Sequence, residues 1–446
     1  MDGKSTERGV RRLLVIAYYF PPRGGGGVQR ITKFVRYLPE FGWMPTVLTV
    51  ATSFYGRRKI DLSHVDEFPA AVEIIRTPRT DLPIKSGRLM SVVDLIKPNL
   101  AHLVGPMRWM RRLRFFARRE RATSDRFHPK GVTLWCLRAV AAGCRAHRRR
   151  HFELILATGE PYSDFLVAWI LSRLTRVPFV LDMRDPWTLD PYEEAPSPRL
   201  RQLIHRRIER WMLSTCSACI FANRSIDLYA STFPKWKQKF YYIPNGYDSA
   251  DFEDVKAKEF DKFTIVHNGT FLPGYRTADT FLLALRDLLD SSPDLRQRIQ
   301  ALFVGTIGQE EKLVRDLSLG AIVQQLGYLP HRSSIEYVKG ADLLLLVGGR
   351  HRWEETAKVY EYLASGKPIL AFLQPDGAAA EILRLHSTAR IVARDNVAEA
   401  RAALAEAVTK GLGIRSTPNS EHTAITRLWE RRQLTERLAQ ILDRCL

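Results

Sequence analysis

Residues 13–38 read LLVIAYYFPPRGGGGVQRITKFVRYL. The apolar run at 13–17 is typical of a buried strand, the four glycines at 24–27 follow it, and a helix is predicted to begin near Val28. A tight turn between a strand and a helix explains one or two glycines but not four. Because the free amides at the start of a helix attract anions, the stretch predicts a backbone that contacts a phosphate. Its spacing differs from GxGxxG, which disfavours a dinucleotide site.

Short apolar runs alternate with helical patterns along the rest of the chain. Strands that are apolar throughout and separated by helices indicate parallel sheets covered on both faces. The predicted fold class is therefore α/β, with two Rossmann-like, doubly wound domains facing a central cleft. The predicted strands lie at 13–17, 46–50, 72–76, 153–157, 179–183, 218–222, 263–267, 301–305, 343–347 and 368–372. Helices are predicted at 29–41, 163–175, 276–289 and 356–365, among others.

The stretch IPNGYDSADFE at 243–253 divides the two halves, because its Asn-Gly turn and its charges interrupt both patterns. We predict a first domain at 1–245, a second domain at 246–420, and a closing helical segment at 421–446 that packs back across the hinge. Ligands of open α/β sheets bind at the carboxyl ends of the strands. The cleft between the two domains is therefore the predicted binding site.

The composition is that of a soluble globular protein, with 45% hydrophobic and 26% charged residues in a chain of 446. The N-terminus starts polar and is interpreted as leading into a first strand rather than as a signal peptide. Five cysteines favour a reducing, cytoplasmic setting without a disulfide framework. The pair in CSAC at 216–219 is interpreted as packed thiols, and no metal site is predicted.

The positive charge is concentrated in one half. Residues 1–250 carry 42 basic and 22 acidic side chains, whereas residues 251–446 carry 26 of each. Such an imbalance favours an anionic partner for the first half: a membrane surface, a phosphorylated acceptor or a nucleic acid.

The stretch WEETAKVYEYLASGKPILAF at 353–372 combines a helix with the strand that follows it. Thr356 is a plausible N-cap, and Lys358 falls in the first turn, where a cation opposes the helix dipole unless an anionic ligand is bound there. Glu361 shares that helix face and could accept hydrogen bonds from a ribose diol. The alternative is a plain ion pair between Lys358 and Glu361 at i,i+3 spacing.

Two further corners carry polar residues at strand ends. Arg276 follows the HNGT turn at 267–270, where its guanidinium could hold a diphosphate or simply be solvated. In DMRDPW, Asp182, Arg184 and Asp185 follow a strand, and they either contact an acceptor or form an Asp–Arg pair that fixes the loop.

In their order along the chain, these motifs resemble bacterial family-4 glycosyltransferases of the GT-B fold, of the cell-surface sugar transferase type. The resemblance rests on YYFPPRGGGGVQRITKFVRYLPEFGWMPTVLT, LDMRDPW, YYIPNGYD, HNGT, LGYLP and AKVYEYLASGKPIL. It implies a retaining, metal-independent transfer without a cofactor. It also implies a nucleotide-sugar donor, a UDP- or GDP-sugar, held mainly by the second domain, and a glycan or lipid-linked acceptor bound by the first domain.

The resemblance also assigns roles to residues of this chain. Glu361 would bind the donor ribose, and Arg276 and Lys358 would act in catalysis by stabilising the departing diphosphate. The LGYLP loop would bracket the base. The full set of implied donor-binding residues is Gly25, Gly26, Gly27, Thr270, Arg276, Gly327, Tyr328, Leu329, Thr356, Lys358 and Glu361.

The chain departs from the wider family at three points. Trp353 stands where a glutamate often contacts the donor sugar, and Glu354 and Glu355 are out of register with it. Thr270 stands where an arginine is frequent. A histidine of the acceptor domain is missing, which leaves Glu160 and Ser163 as acceptor-side candidates alongside Asp182, Arg184 and Asp185.

The segment 102–121 is rich in arginine and aromatic residues. Its pattern predicts an interfacial helix that docks on anionic lipid, with a solvated helix packed on the sheet as the alternative. The protein is thus expected to be cytoplasmic and peripheral on the inner face of the cell membrane, with no nucleic acid as partner. The predicted membrane contacts are Arg108, Trp109, Arg111, Arg112, Phe115, Phe116, Arg118 and Arg119.

Two other functions compete with a transferase. One is a nucleotide-sugar 2-epimerase of the same fold, which needs acid/base carboxylates and a histidine around the sugar. The other is a non-catalytic binder of anionic membrane or nucleic acid, which leaves the glycines and Lys358 unexplained.

Overall fold

Two parallel β-sheets organise the chain, as the sequence predicts. The computed structural model describes residues 9–55, 60–65, 67–78, 132–190, 199–306, 308, 310–413 and 426–446. The predicted membrane segment 102–121 lies outside these ranges. Among the described residues, no helix is both long enough and apolar enough to cross a membrane.

The first sheet has seven strands in the order β3-β2-β1-β4-β5-β6-β7, and the second has six in the order β10-β9-β8-β11-β12-β13. The strands of the first sheet are β1 (Arg11–Ile16), β2 (Trp43–Val50), β3 (Glu73–Thr77), β4 (Leu154–Gly159), β5 (Phe179–Met183), β6 (Ala218–Phe221) and β7 (Phe240–Tyr242). Those of the second are β8 (Phe263–Asn268), β9 (Ile299–Val304), β10 (Val323–Gly327), β11 (Leu343–Val347), β12 (Ile369–Leu373) and β13 (Ala389–Ala393).

Helices connect the strands and cover both faces of each sheet. Those in the first half are α1 (Gly26–Tyr37), α2 (Val132–Arg150), α3 (Ser163–Thr175), α4 (Arg199–Thr215), α5 (Ser225–Thr232) and α6 (Ala250–Glu253). Those that follow are α7 (Asp279–Ser291), α8 (Leu295–Arg298), α9 (Glu310–Asp316), α10 (His331–Gly340), α11 (Ala357–Ser365), α12 (Ala378–Leu383), α13 (Val397–Gly413) and α14 (Arg431–Asp443).

The structure differs from the sequence prediction at the edge strands of the sheets and at the ends of two helices. The strands that the sequence missed are β7, β10 and β13, each at an edge of its sheet. The helix predicted at 29–41 begins at Gly26 and ends at Tyr37, followed by a 3₁₀ turn to Phe41. The helix predicted at 276–289 begins only at Asp279, so Arg276 belongs to the loop before it.

The final helix, α14, packs on the first sheet although it follows the second in the chain. Its Leu434, Leu438 and Leu442 are fully buried in one cluster with residues of β1 and α1. Where the chain returns, Tyr247 N donates to Trp429 O at 3.1 Å, and Arg431 N donates to Tyr247 O at 2.8 Å. The segment that leaves the first domain at Tyr247 and the segment that returns to it at Trp429 and Arg431 therefore run side by side between the two domains.

The two cysteines of CSAC lie in the core of the first domain. Cys216 and Cys219 are free thiols, and both are buried among apolar side chains. Burial raises the pKa of Cys216 to about 12. The prediction of packed thiols is confirmed.

A buried ion pair fixes α1 against the sheet. Arg30 Nη2 lies 2.9 Å from Asp182 Oδ1, and both side chains are essentially inaccessible to solvent. Arg30 Nη1 also donates to Pro244 O at 2.9 Å, and Thr158 Oγ1 donates to Asp182 Oδ2 at 2.8 Å. Of the two roles that the sequence left open for Asp182, the structure favours the ion pair over an acceptor contact: the carboxylate is enclosed, and its partner is Arg30 rather than Arg184.

We expect Asp182→Ala to lower the free energy of unfolding by about 3–5 kcal/mol, because it leaves the Arg30 charge buried without a partner. Urea denaturation measures this. The control is Glu311→Ala, which breaks an exposed pair with Arg315 and should cost less than about 1 kcal/mol. Equal losses in the two variants would contradict the structural role of Asp182.

Candidate active site in the cleft

A cavity of about 420 Å³ lies between the two sheets, at the carboxyl ends of their strands. This is within the usual range for small-molecule sites. Both domains contribute to its wall, and several of the lining residues directly follow a strand, among them Glu160, Arg184 and Gly269. They are Gly25, Gly26, Gly27, Gln29, Asp61, Glu160, Arg184, Asp185, Asn223 and Asn245 from the first half, and Asn268, Gly269, Thr270, Arg276, Val304, Gly305, Tyr328, Leu329, His331, Ser334, Glu354, Glu355, Thr356, Ala357 and Lys358 from the second.

The four glycines at 24–27 differ in their backbone conformation and in what a side chain at each position would meet. A Cβ at Gly24 would overlap the hydroxyl of Tyr328, which approaches from the second domain, and would lie 2.9 Å from Asp61 Cβ. A Cβ at Gly27 would overlap the guanidinium of Arg184. Gly25 has φ +123°, which side chains rarely adopt, whereas a Cβ at Gly26 would meet nothing within 4 Å. The glycine turn is therefore shaped partly by protein side chains, and Gly25 and Gly26 are the two positions that face open space.

The start of α1 and Arg184 form one cationic corner. The first turn of α1 contains no acidic residue, and its N-cap provides no side-chain hydrogen bond. Arg184 is held beside it, because its guanidinium donates to the carbonyls of Gly159 and Glu160, the latter at 2.6 Å. A helix N-terminus next to a guanidinium favours an anion. Arg184 thus belongs with the glycine turn, a placement that the sequence analysis missed.

On the opposite wall, the start of α11 agrees with the sequence prediction. Thr356 is the N-cap and accepts a hydrogen bond from Lys358 N at 3.1 Å, and Gly366 ends the helix with a left-handed φ of 67°. Lys358 Nζ lies 2.6 Å from Glu361 Oε2, so the i,i+3 ion pair that the sequence left open is present. Burial opposes ionisation of Glu361, but Lys358 and His331 outweigh it and hold its pKa below the ordinary value.

The same wall carries a second cation paired with a carboxylate. Arg276 pairs with Glu354, and Tyr275 Oη donates to Glu354 Oε2 at 2.7 Å. Trp353 instead stacks on His351, with ring centroids 4.6 Å apart. The sequence placed Glu354 out of register with the glutamate of the wider family, but the irregular turn before α11 brings it to the cavity wall.

Glu355 links the two halves of the chain at this wall. Its Oε2 accepts hydrogen bonds from Tyr242 Oη at 2.5 Å and from Tyr360 Oη at 2.6 Å. Burial raises the pKa of Glu355, and the two tyrosine hydrogen bonds only partly offset that effect. Sequence reasoning missed Tyr242 because β7 is too short to be recognised from its pattern.

Contacts across the cleft surround the LGYLP loop. Asp61 Oδ2, from the first domain, accepts from Tyr328 Oη at 3.2 Å and from His331 N at 2.9 Å. Gln29 Nε2 lies 2.7 Å from His331 Nδ1. Burial opposes ionisation of Asp61, but hydrogen bonds from Ser63 and from the His331 amide keep its pKa low. Asp61 thus satisfies the first amide of α10 from the other domain.

The predicted site residues separate into two groups. Most lie on the cavity wall: Gly25, Gly26, Gly27, Thr270, Arg276, Tyr328, Leu329, Thr356 and Lys358 on the donor side, and Glu160, Arg184 and Asp185 on the acceptor side. The others lie behind it. They are Gly327, the last residue of β10, with φ 72°; Glu361, beneath Lys358; Ser163, fully buried at the start of α3; and Asp182, in the pair with Arg30.

One group of side chains has spacing suited to a metal ion. Ligand atoms of His64, Glu67 and Asp251 lie within 4.8 Å of one another. The ammonium of Lys33 lies 2.9 Å from Glu67 Oε2 and 2.5 Å from Asp251 Oδ1. The ammonium of Lys33 thus already lies between these two carboxylates, and the group forms an ion network.

We expect Gly24→Ala to lower the melting temperature, because the new methyl group displaces Tyr328 and its hydrogen bond to Asp61. Gly26→Ala should leave the melting temperature unchanged or raise it, since alanine in a helix is up to about 1 kcal/mol more favourable than glycine. Thermal unfolding of the two purified variants compares them. A lower melting temperature for Gly26→Ala than for Gly24→Ala would contradict the arrangement of the turn.

Comparison with known proteins identifies the first half of the chain. A family model described as a glycosyl transferase 4-like domain matches residues 25–246. Among proteins of curated function, none is significantly similar to this chain in sequence.

Solved structures show the same architecture over the full length. Sucrose-phosphate synthase from Thermosynechococcus elongatus is 14% identical, with 97% of this chain and 98% of that chain covered and a TM-score of 0.65. HepE from Anabaena, in complex with UDP-glucose, is 13% identical, with 97% and 99% covered and a TM-score of 0.61. The lipopolysaccharide outer core galactosyltransferase WaaB is 10% identical, with 98% and 100% covered and a TM-score of 0.55.

Identities this low bear on the fold alone, and that fold is the two-domain GT-B arrangement. With a glycosyl transferase 4-like domain at residues 25–246 inside this fold, the chain belongs to the family-4 glycosyltransferases.

Proposed function

We propose that this glycosyltransferase moves a sugar from a nucleoside-diphosphate donor, a UDP- or GDP-sugar, to a glycan or lipid-linked acceptor of the cell surface. One observation carries the proposal: Arg276 and Lys358 reach the cavity wall from one domain, and Arg184 and the N-terminus of α1 reach it from the other. Cationic groups on both walls suit the two phosphates of such a donor.

The leaving diphosphate is the group that most needs stabilisation in this reaction. When the bond between the anomeric carbon and the diphosphate breaks, negative charge grows on the diphosphate oxygens. Cations and amides already in place stabilise that charge, and one such donor is worth roughly 3 kcal/mol. Arg276 and Lys358 are the residues that we assign to this role. The transfer proceeds with retention at the anomeric carbon and needs neither a metal ion nor a cofactor.

The donor is assigned to the second domain. HepE, which shares the fold, was solved with UDP-glucose, and this supports a nucleotide sugar as the donor. Thr356 and Lys358 would meet the phosphates, and Glu361 would accept from the ribose after exchanging part of its contact with Lys358. Tyr328 and Leu329 would border the base, with Thr270, Gly327 and the amides of 25–27 completing the site.

The acceptor is assigned to the first domain, where Glu160 and Asp185 lie on the cavity wall beside Arg184. We place the protein on the cytoplasmic face of the cell membrane, as a peripheral protein of polysaccharide synthesis. The arginine-rich segment 102–121 supports this placement through its composition. A 2-epimerase would release an altered nucleotide sugar rather than a glycoside, so product analysis separates the two enzymes.

The first test is thermal unfolding with UDP, GDP, ADP, TDP and CDP. We expect one of them to raise the melting temperature by several degrees at about 100 times its dissociation constant. Binding at that concentration stabilises the folded protein by about 2.7 kcal/mol. The double variant Lys358→Ala, Glu361→Gln should lose the shift, because it removes the cation without leaving a buried carboxylate unpaired.

The matched control is Lys410→Ala, Glu406→Gln, which removes an exposed ion pair of the same domain. This variant should keep the full shift. If no diphosphate stabilises the wild-type protein, or if both double variants keep the shift equally, the donor site is not the one described.

A further inference from the structure

Three neighbouring helices of the first domain turn a set of arginines toward solvent. Helices α2, α3 and α4 contribute their inner faces to one apolar cluster, through Trp135, Trp169 and Met212 among others. Their outer faces, with the residue that ends α3, form what we call the arginine face. Its members are Arg138, Arg145, Arg148, Arg149, Arg173, Arg176, Arg206, Arg207 and Arg210, all exposed.

No carboxylate of these helices balances that charge. The acidic residues in their sequences are Asp164 and Glu209, and both side chains are buried. Asp164 Oδ2 accepts from Tyr18 N at 2.7 Å, and Glu209 accepts from the hydroxyls of Tyr229 and Thr188. Both carboxyls thus point inward, and the outward charge of the three helices has a single sign.

Helix α4 adds exposed apolar side chains to its arginines. Leu203 is 63% exposed and Trp211 is 39% exposed. At 3.6 residues per turn, both lie on the same stripe as Arg206, Arg207 and Arg210. Trp211 is anchored on its inner side, with its ring centroid 4.0 Å from that of Trp169. Arginines attract anionic headgroups and tryptophan is favoured at the boundary between headgroups and acyl chains, so a stripe that carries both suits the surface of an anionic membrane.

The position of α4 relates this stripe to the cleft. In a parallel sheet the connecting helices run opposite to the strands, so α4 begins at the edge where the strands end. The loop that leads to α4 from β5 carries Arg184 and Asp185, which line the cavity. A surface bound along α4 would therefore lie next to the acceptor side.

We propose that the arginine face, with Leu203 and Trp211, binds an anionic lipid surface. The consequence for acceptor delivery rests on the proposed function, whereas lipid binding itself does not. Lipid is favoured over nucleic acid because the leucine and tryptophan share the stripe with the arginines and can enter the interfacial layer. This surface includes no residue of segment 102–121 and consists of described residues.

The test is co-sedimentation of the full chain with vesicles of phosphatidylglycerol and phosphatidylcholine, compared with phosphatidylcholine alone. Wild-type protein should bind the anionic vesicles only, and less at high salt. Changing Arg206, Arg207 and Arg210 to Glu should weaken binding at least ~10-fold, since each basic residue near an anionic surface contributes several-fold. Trp211→Ala should weaken binding without changing its dependence on salt.

The matched control changes Lys256, Arg298 and Arg315, exposed residues of the second domain, to Glu. It alters the net charge equally and should bind within about twofold of wild type. Equal losses in both triple variants, or no loss in the α4 variant, overturn the proposal. So does binding that is lost only when Arg111, Arg112 and Arg118 are changed to Glu, or tight binding to duplex DNA without binding to vesicles.

The nucleoside-diphosphate thermal shift separates this proposal from the proposed function. The α4 variant should melt at the wild-type temperature and keep the diphosphate shift, which shows that it is folded and that its donor site is intact. Vesicle binding without any diphosphate shift in the wild type would leave the arginine face standing and remove the proposed donor site. A diphosphate shift without vesicle binding would support the proposed donor site and overturn the lipid-binding role of the arginine face.

Discussion

The burial of two cations on one helix governs the geometry of the cleft. Arg30 and Lys33 of α1 are both inaccessible to solvent, and an unpaired buried charge is very costly. Arg30 is held by Asp182 at the end of β5, while Lys33 Nζ lies 2.8 Å from Asp248 Oδ2 and 2.5 Å from Asp251 Oδ1, in the connection between the domains. These pairs fix α1 in rotation and in depth, and so fix where the glycine turn presents its amides.

The cations that line the cavity are already bound to partners within the protein. Arg276 is paired with Glu354 and Lys358 with Glu361, whereas Arg184 is held by backbone carbonyls. The paired carboxylates lower the cost of holding positive charge in a half-buried wall before a ligand arrives. They also fix the side chains in place, which is what electrostatic stabilisation of a developing charge requires.

How much of the fold can be predicted from the sequence depends on how deeply the residues of each element are buried. Central strands such as β5 and β11 are fully buried and mostly apolar, and their predicted bounds match the structure. The edge strands β10 and β13 have polar or half-buried residues and escaped detection. The cap at Thr356 was predictable because it depends on neighbouring residues. The contacts of Gly24 with Tyr328 and of Gly27 with Arg184 were not, because they join segments far apart in the chain. For the same reason, the sequence did not show that two of the four glycines, Gly24 and Gly27, lie against protein side chains.

The side-by-side passage of the chain at Tyr247 and Trp429 has a mechanical consequence. Two covalent connections that are hydrogen-bonded to each other act as one pivot, so the domains keep a rotational freedom but little freedom to slide or separate. In a rotation, displacement grows with distance from the axis. Asp248, next to the pivot, can therefore keep its contact with Lys33 while more distant parts of the cleft walls move apart. Substrates can then enter and leave while Lys33 keeps its buried carboxylate partner.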